Sequence, residues 1–65
     1  MVTINGKTLD LPEETTVSDY LEDHLFKPVQ IAVELNDEIL PKSLYDETVL
    51  KDGDVVEIVQ FMGGG

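Results

Sequence analysis

Cysteine is absent from the 65 residues, which excludes disulfides, thiolate-held zinc and thiol catalysis. Basic residues are scarce. Lys7, Lys27, Lys42 and Lys51 stand against fourteen acidic residues, giving a formal net charge of -10. Four scattered lysines build no basic patch, so nucleic-acid backbones and anionic membrane surfaces are excluded as partners. No apolar run approaches the ~20 residues of a membrane span, and no signal-peptide pattern opens the chain. A soluble, cytoplasmic protein is expected. His24 is the single histidine, and its place near an acidic helix end reads as a helix-terminal residue rather than a base. Ser18 and Ser43 lack a base at a suggestive spacing and fit helix-start and turn roles. Asp52 and Asp54 flank Gly53 without the twelve-residue calcium-loop pattern, so turn chemistry explains them. No catalytic constellation and no metal site emerges.

What remains is a small, well-patterned domain. A chain of this size buries only about 60% of its unfolded surface, yet a hydrophobic fraction of 42% suffices for one core. Met1 to Asn5 alternates apolar and polar, Asn5-Gly6 is the strongest short hairpin signal, and Lys7 to Leu11 alternates again. Pro12 closes that second strand. Thr16-Val17-Ser18-Asp19 sets a capping hydroxyl three residues before an acid. Val17, Tyr20, Leu21 and Leu25 then place one apolar face on a helix ending near His24 to Phe26. Val29, Ile31, Val33 and Leu35 share one face of a strand. Asn36-Asp37 is a turn, Glu38 to Leu40 a short strand before Pro41, Ser43 to Asp46 a turn or single helical loop, and Thr48 to Leu50 a short edge strand. Tyr20 and Tyr45 are expected in or around the core.

The last strand runs from Val55 to Met62. Its two faces are both largely apolar, with Val56 and Ile58 on one and Val55, Val59 and Phe61 on the other, interrupted by Glu57. One helix covers only one face of a sheet. The segment holding it supplies the long crossover that parallel neighbours require, so the first and last strands are expected to pair in parallel at the centre. The fold class is α+β: a β-grasp with a mixed four- to five-stranded sheet and one main helix on one face. Val56 and Ile58 are expected under the helix, leaving Val59, Phe61 and Met62 as a patch for partner docking. The acidic surface either steers a basic partner or only confers solubility, and charge reversal at Glu57 or Asp54 separates the two.

Residues 1–62 thus form the domain, and Gly63-Gly64-Gly65 a flexible tail. Three extended glycines carry a terminal carboxylate about 10 Å into a slot too narrow for side chains.

A β-grasp domain whose last strand enters a terminal Gly-Gly resembles the ubiquitin-like sulfur carriers, and within them the ThiS family of thiamine biosynthesis. The resemblance spans the whole chain. It rests on Ile4-Asn5-Gly6-Lys7, Thr16-Val17, Ile31-Ala32-Val33-Glu34-Leu35-Asn36, Ile39-Leu40-Pro41, the run Leu50 to Ile58 with Asp52-Gly53-Asp54, and Phe61-Met62-Gly63-Gly64-Gly65. It implies a carrier rather than an enzyme. An E1-like adenylyltransferase (ThiF-like) adenylates the Gly65 carboxylate, using its own ATP and leaving the carrier without a cofactor. A persulfide relay then supplies sulfur to give a thiocarboxylate. A thiazole synthase (ThiG-like) takes that sulfur for the thiazole of thiamine. Gly63 and Gly64 give the tail reach, and the free carrier is expected to be a monomer. Sibling carriers for molybdopterin, cysteine or tRNA thiolation share this chemistry. A protein-conjugating modifier and a β-grasp interaction module with an inert tail are the other readings.

Overall fold

A computed structural model describes residues 1–61. Strands β1 (Val2–Ile4), β2 (Lys7–Leu9), β3 (Ile31–Leu35), β4 (Glu38–Leu40) and β5 (Val55–Gln60) form one five-stranded sheet in the order β2-β1-β5-β3-β4. β1 and β5 run parallel, and the other neighbours are antiparallel. The last strand therefore lies at the centre, beside the first, as the crossover argument requires. Helix α1 (Val17–Asp23) buries Val17, Tyr20 and Leu21 against Val2, Ile4, Ile31, Val33, Val56 and Ile58 of the sheet, with Tyr45 and Leu50 completing the core.

Two asparagines hold β5 in place. β1 turns away after Ile4 because Asn5 and Gly6 both take positive φ, at 49° and 84°. The Asn5 amide then stands in for the next peptide of the ladder. Its Oδ1 accepts the Ile58 N–H at 2.7 Å, and its Nδ2 donates to the Ile58 carbonyl. On the other side of β5, Asn36 in the second positive-φ turn accepts the Val55 N–H at 2.9 Å and donates to the Asp54 carboxylate. The sequence reading takes both residues as turn formers and misses that each side chain also clamps the central strand.

The N-terminus of α1 is fully capped. Thr16 Oγ1 accepts the Asp19 N–H, and the Asp19 carboxylate accepts the Thr16 N–H. The N–H groups of Val17 and Ser18 donate to the carbonyls of Thr48 and Tyr45. Ser18 Oγ donates to the Asp46 carboxylate. These bonds satisfy donors that a helix start leaves without partners.

Several elements differ from the sequence reading. Thr48–Leu50 is not a strand. Its backbone serves the helix start and Thr15, leaving only an isolated bridge between Thr16 and Val49. β2 stops at Leu9, although Leu11 still packs against the core. Val29 does not share the strand face. Pro28 starts a 3-10 turn over Pro28–Gln30, because its fixed φ suits a first helical position. Leu25 is not on the buried helix face, since α1 ends at Asp23 and Leu25 takes φ 60°. The last strand ends at Gln60. A 3-10 turn at Lys42–Leu44 holds Ser43, in keeping with the helical loop expected there.

Candidate functional site

The buried residues of β5 alternate, with Val56 and Ile58 covered and Val55, Glu57, Val59 and Gln60 exposed. Register assigns the open face. Ala32 lies opposite Val59, and Glu34 opposite both Glu57 and Ile39. Directly opposed residues of an antiparallel pair share a face. The side of the sheet away from α1 therefore carries Val55, Glu57 and Val59 of β5, flanked by Ala32, Glu34 and Ile39. Val59 is 51% exposed, Phe61 beyond it 56%, and Ile39 74%. The expected covering of Val56 and Ile58 and exposure of Val59 and Phe61 are what the structure has. Ile39 belongs to the same apolar surface and escapes the sequence reading, because a three-residue strand shows too little alternation to assign its faces.

Within this surface Glu34 and Glu57 face each other across β3 and β5. Like charges directly opposite destabilise a sheet by a few tenths of a kcal/mol. Among the described residues the one ion pair is elsewhere, between the Met1 ammonium and the exposed Asp52 carboxylate. That ammonium holds the Asp52 carboxyl below its ordinary value through a hydrogen bond and charge attraction. The exposed face thus combines apolar side chains with two carboxylates that no cation of this chain neutralises among the described residues. The arrangement suits a partner with an apolar surface and a cationic side chain.

Asp54 and Glu57, alike on sequence as steering acids, differ here. The Asp54 carboxylate accepts the Lys51 N–H at 2.8 Å and the Asn36 amide at 3.1 Å, so it builds the turn before β5. Glu57 makes no such bond and is the usable probe of docking charge. His24 caps the C-terminal end of α1, its ring stacked on Tyr20 with centroids 4.0 Å apart and its Nδ1 3.0 Å from the Tyr20 carbonyl. Tyr20 and Tyr45 are core residues.

The residue that follows β5 is also anchored. After Gln60, the Phe61 N–H donates to the Gln30 carbonyl at 2.8 Å, so the backbone is held in place up to Phe61. Met62, proposed for docking, and Gly63, Gly64 and Gly65 of the tail lie outside the described residues.

The comparisons with known proteins agree with this geometry. The ThiS family matches residues 2–65. The chain is 41% identical over 66 aligned residues to the sulfur carrier protein ThiS of Bacillus subtilis (strain 168), covering 100% of both. A thiazole synthase of Paramagnetospirillum magneticum is 42% identical over 62 residues, which are 95% of this chain and 19% of that protein. The crystal structure of the thiamine biosynthesis protein ThiS from Geobacter metallireducens superposes with a TM-score of 0.78 at 42% identity, covering 98% of this chain and 97% of that one. The same β-grasp fold and an alignment of full length leave one assignment: the chain belongs to the ThiS family of sulfur carrier proteins.

Proposed function

We propose that this carrier brings sulfur to the thiazole of thiamine as a thiocarboxylate on Gly65. The observation that carries the reading is the course of β5. A strand clamped on both sides by Asn5 and Asn36 leads through Phe61 into Met62-Gly63-Gly64-Gly65. A rigid body thereby leads directly to the glycine stretch that bears Gly65. A carboxylate cannot be displaced directly, because oxide is a poor leaving group. Adenylation by a ThiF-like partner corrects this: the Gly65 carboxylate attacks the α-phosphate of ATP, pyrophosphate departs, and AMP becomes the leaving group. The terminal sulfur of a relay persulfide then attacks the acyl carbon and displaces AMP, giving an acyl disulfide. A second thiol of the relay attacks the relay-side sulfur of that S–S bond, forms a disulfide with it and releases the thiocarboxylate. The resulting thiocarboxylate is the better nucleophile at neutral pH and passes its sulfur on.

Val59 and Phe61, with Met62 beyond, dock the body on these partners, and Glu57 and Glu34 meet a cation there. A ThiG-like thiazole synthase as acceptor is supported by two thiazole synthases that each contain a stretch similar to this chain, at 42% and 34% identity. ATP belongs to the activating enzyme, and the carrier needs no cofactor. Among the described residues no helix is long and apolar enough to cross a membrane, and we place the carrier in the cytoplasm with these enzymes.

A reconstituted thiazole-forming assay tests the proposal. Removing Gly65, or adding one residue after it, is expected to abolish sulfur transfer while leaving the melting temperature unchanged. Transfer that survives either change points instead to a β-grasp module with an inert tail.

A further inference from the structure

Leu25 and Val29 are the most exposed large hydrophobic residues among those described, at 88% and 78%. Leu25 is also held in an unfavourable backbone state. At φ 60° it closes α1 in a Schellman arrangement, the Phe26 N–H donating to the Leu21 carbonyl at 2.9 Å and the Leu25 N–H to the Glu22 carbonyl at 3.2 Å. Glycine is the usual residue at that position, because a Cβ is crowded there. Leucine gains no burial in exchange. Neither backbone preference nor core packing therefore accounts for it, and strain of this kind concentrates at functional positions. Val29 likewise lies outside the core, in the 3-10 turn Pro28–Gln30.

Both residues belong to the loop that holds the root of the tail. The Gln30 N–H donates to the Lys27 carbonyl at 2.8 Å, and the Gln30 carbonyl accepts the Phe61 N–H at 2.8 Å. Gly65 lies four residues beyond Phe61, a span of at most about 14 Å. A nucleotide site that adenylates Gly65 within that reach brings its enclosing rim against this end of the body.

We propose that Leu25 and Val29 form an apolar collar that seats on the rim of the adenylating enzyme as the tail enters its nucleotide site. The proposal rests on the carrier reading given above. The collar is a second contact, contributed by the helix-to-strand loop rather than by the open sheet face. It aligns the tail with the entrance.

Leu25→Gly separates docking from folding, since glycine suits the left-handed backbone while removing the side chain. Val29→Ser removes the second contact at a site outside the core. With the adenylyltransferase and ATP, both variants are expected to melt within a few degrees of the wild type, Leu25→Gly at or above it. Each is expected to raise the KM of the carrier about tenfold, the effect of losing one apolar anchor. The kcat for adenylate formation should be kept, because the tail is intact. A wild-type KM in both variants, with wild-type carrier activated in the same assay, overturns the collar alone. Failure of the wild-type carrier to be adenylated overturns the carrier reading and the collar with it.

Discussion

Val56 and Ile58 are buried beneath α1, whereas Val55 and Val59, their neighbours along the same strand, stand half-exposed on the other side. The residue types are alike, so hydrophobicity does not decide which face becomes core. The helix does. Seven residues of α1 cover one face of five strands and no more, and the described residues hold no second α-helix for the other. An apolar face left open on a protein of net charge -10 is the surface proposed above for partner docking. The opposed Glu34 and Glu57 fit that view, since an arrangement selected only for stability would not pair two acids across strands.

The widest separation between the faces is expected from truncation. Ile58→Ala leaves a cavity in the core and should cost about 3 kcal/mol in urea unfolding. Val59→Ala should stay within about 0.5 kcal/mol yet weaken binding to the adenylyltransferase. Equal losses of stability at the two positions would show that the open face is core after all. The Asn5 clamp comes next. Asn5→Ala removes two hydrogen bonds to Ile58 and a residue tolerant of positive φ, for an expected loss of about 2 kcal/mol. A loss near zero would mean that flanking strands alone position β5.

A smaller effect tests the covered side by pH. Burial pushes the Tyr45 phenol above its ordinary value, because the interior disfavours phenolate. The folded state therefore holds this proton more tightly than the unfolded chain. Its stabilising contribution is complete below the unfolded value of about 10 and declines as pH rises through the folded value. Tyr45→Phe should lessen the alkaline loss of stability measured above about pH 10, and an unchanged alkaline limb would contradict the assignment. The smallest change is on the open face. Glu57→Gln should raise stability by a few tenths of a kcal/mol by relieving Glu34. Glu57→Lys should slow association with a cationic partner surface at low salt, and the difference should fade as salt is added. An association rate that ignores both substitutions would leave the acid with a solubilising role.

Much of this architecture is legible in the chain because local signals and tertiary needs coincide. Asn5-Gly6 forms the turn it spells, Thr16 and Asp19 form the reciprocal cap, and the alternation of β5 carries through to its burial. The misreadings fall where local geometry is overridden. Leu25 lies at helical spacing from Val17 and Leu21, yet the helix has already closed, and closure on leucine instead of glycine leaves no sequence signal. Val29 continues the alternation of β3, but Pro28 draws it into a turn. Thr48 to Leu50 looks like a strand, although its carbonyls and N–H groups are used by the helix start and Thr15. The open face was readable on β5 and incomplete elsewhere. Its Ile39 sits on a strand too short to show a face, and the Glu34–Glu57 opposition exists only once β3 and β5 are in register.

The central claim is that this chain carries sulfur on Gly65, and intact mass tests it most directly. The carrier is incubated with ATP, the adenylyltransferase and a sulfide source. The account predicts a mass shift equal to exchanging one oxygen for sulfur, absent when Gly65 is removed. An unshifted mass, in a mixture where a control carrier is converted, would contradict it.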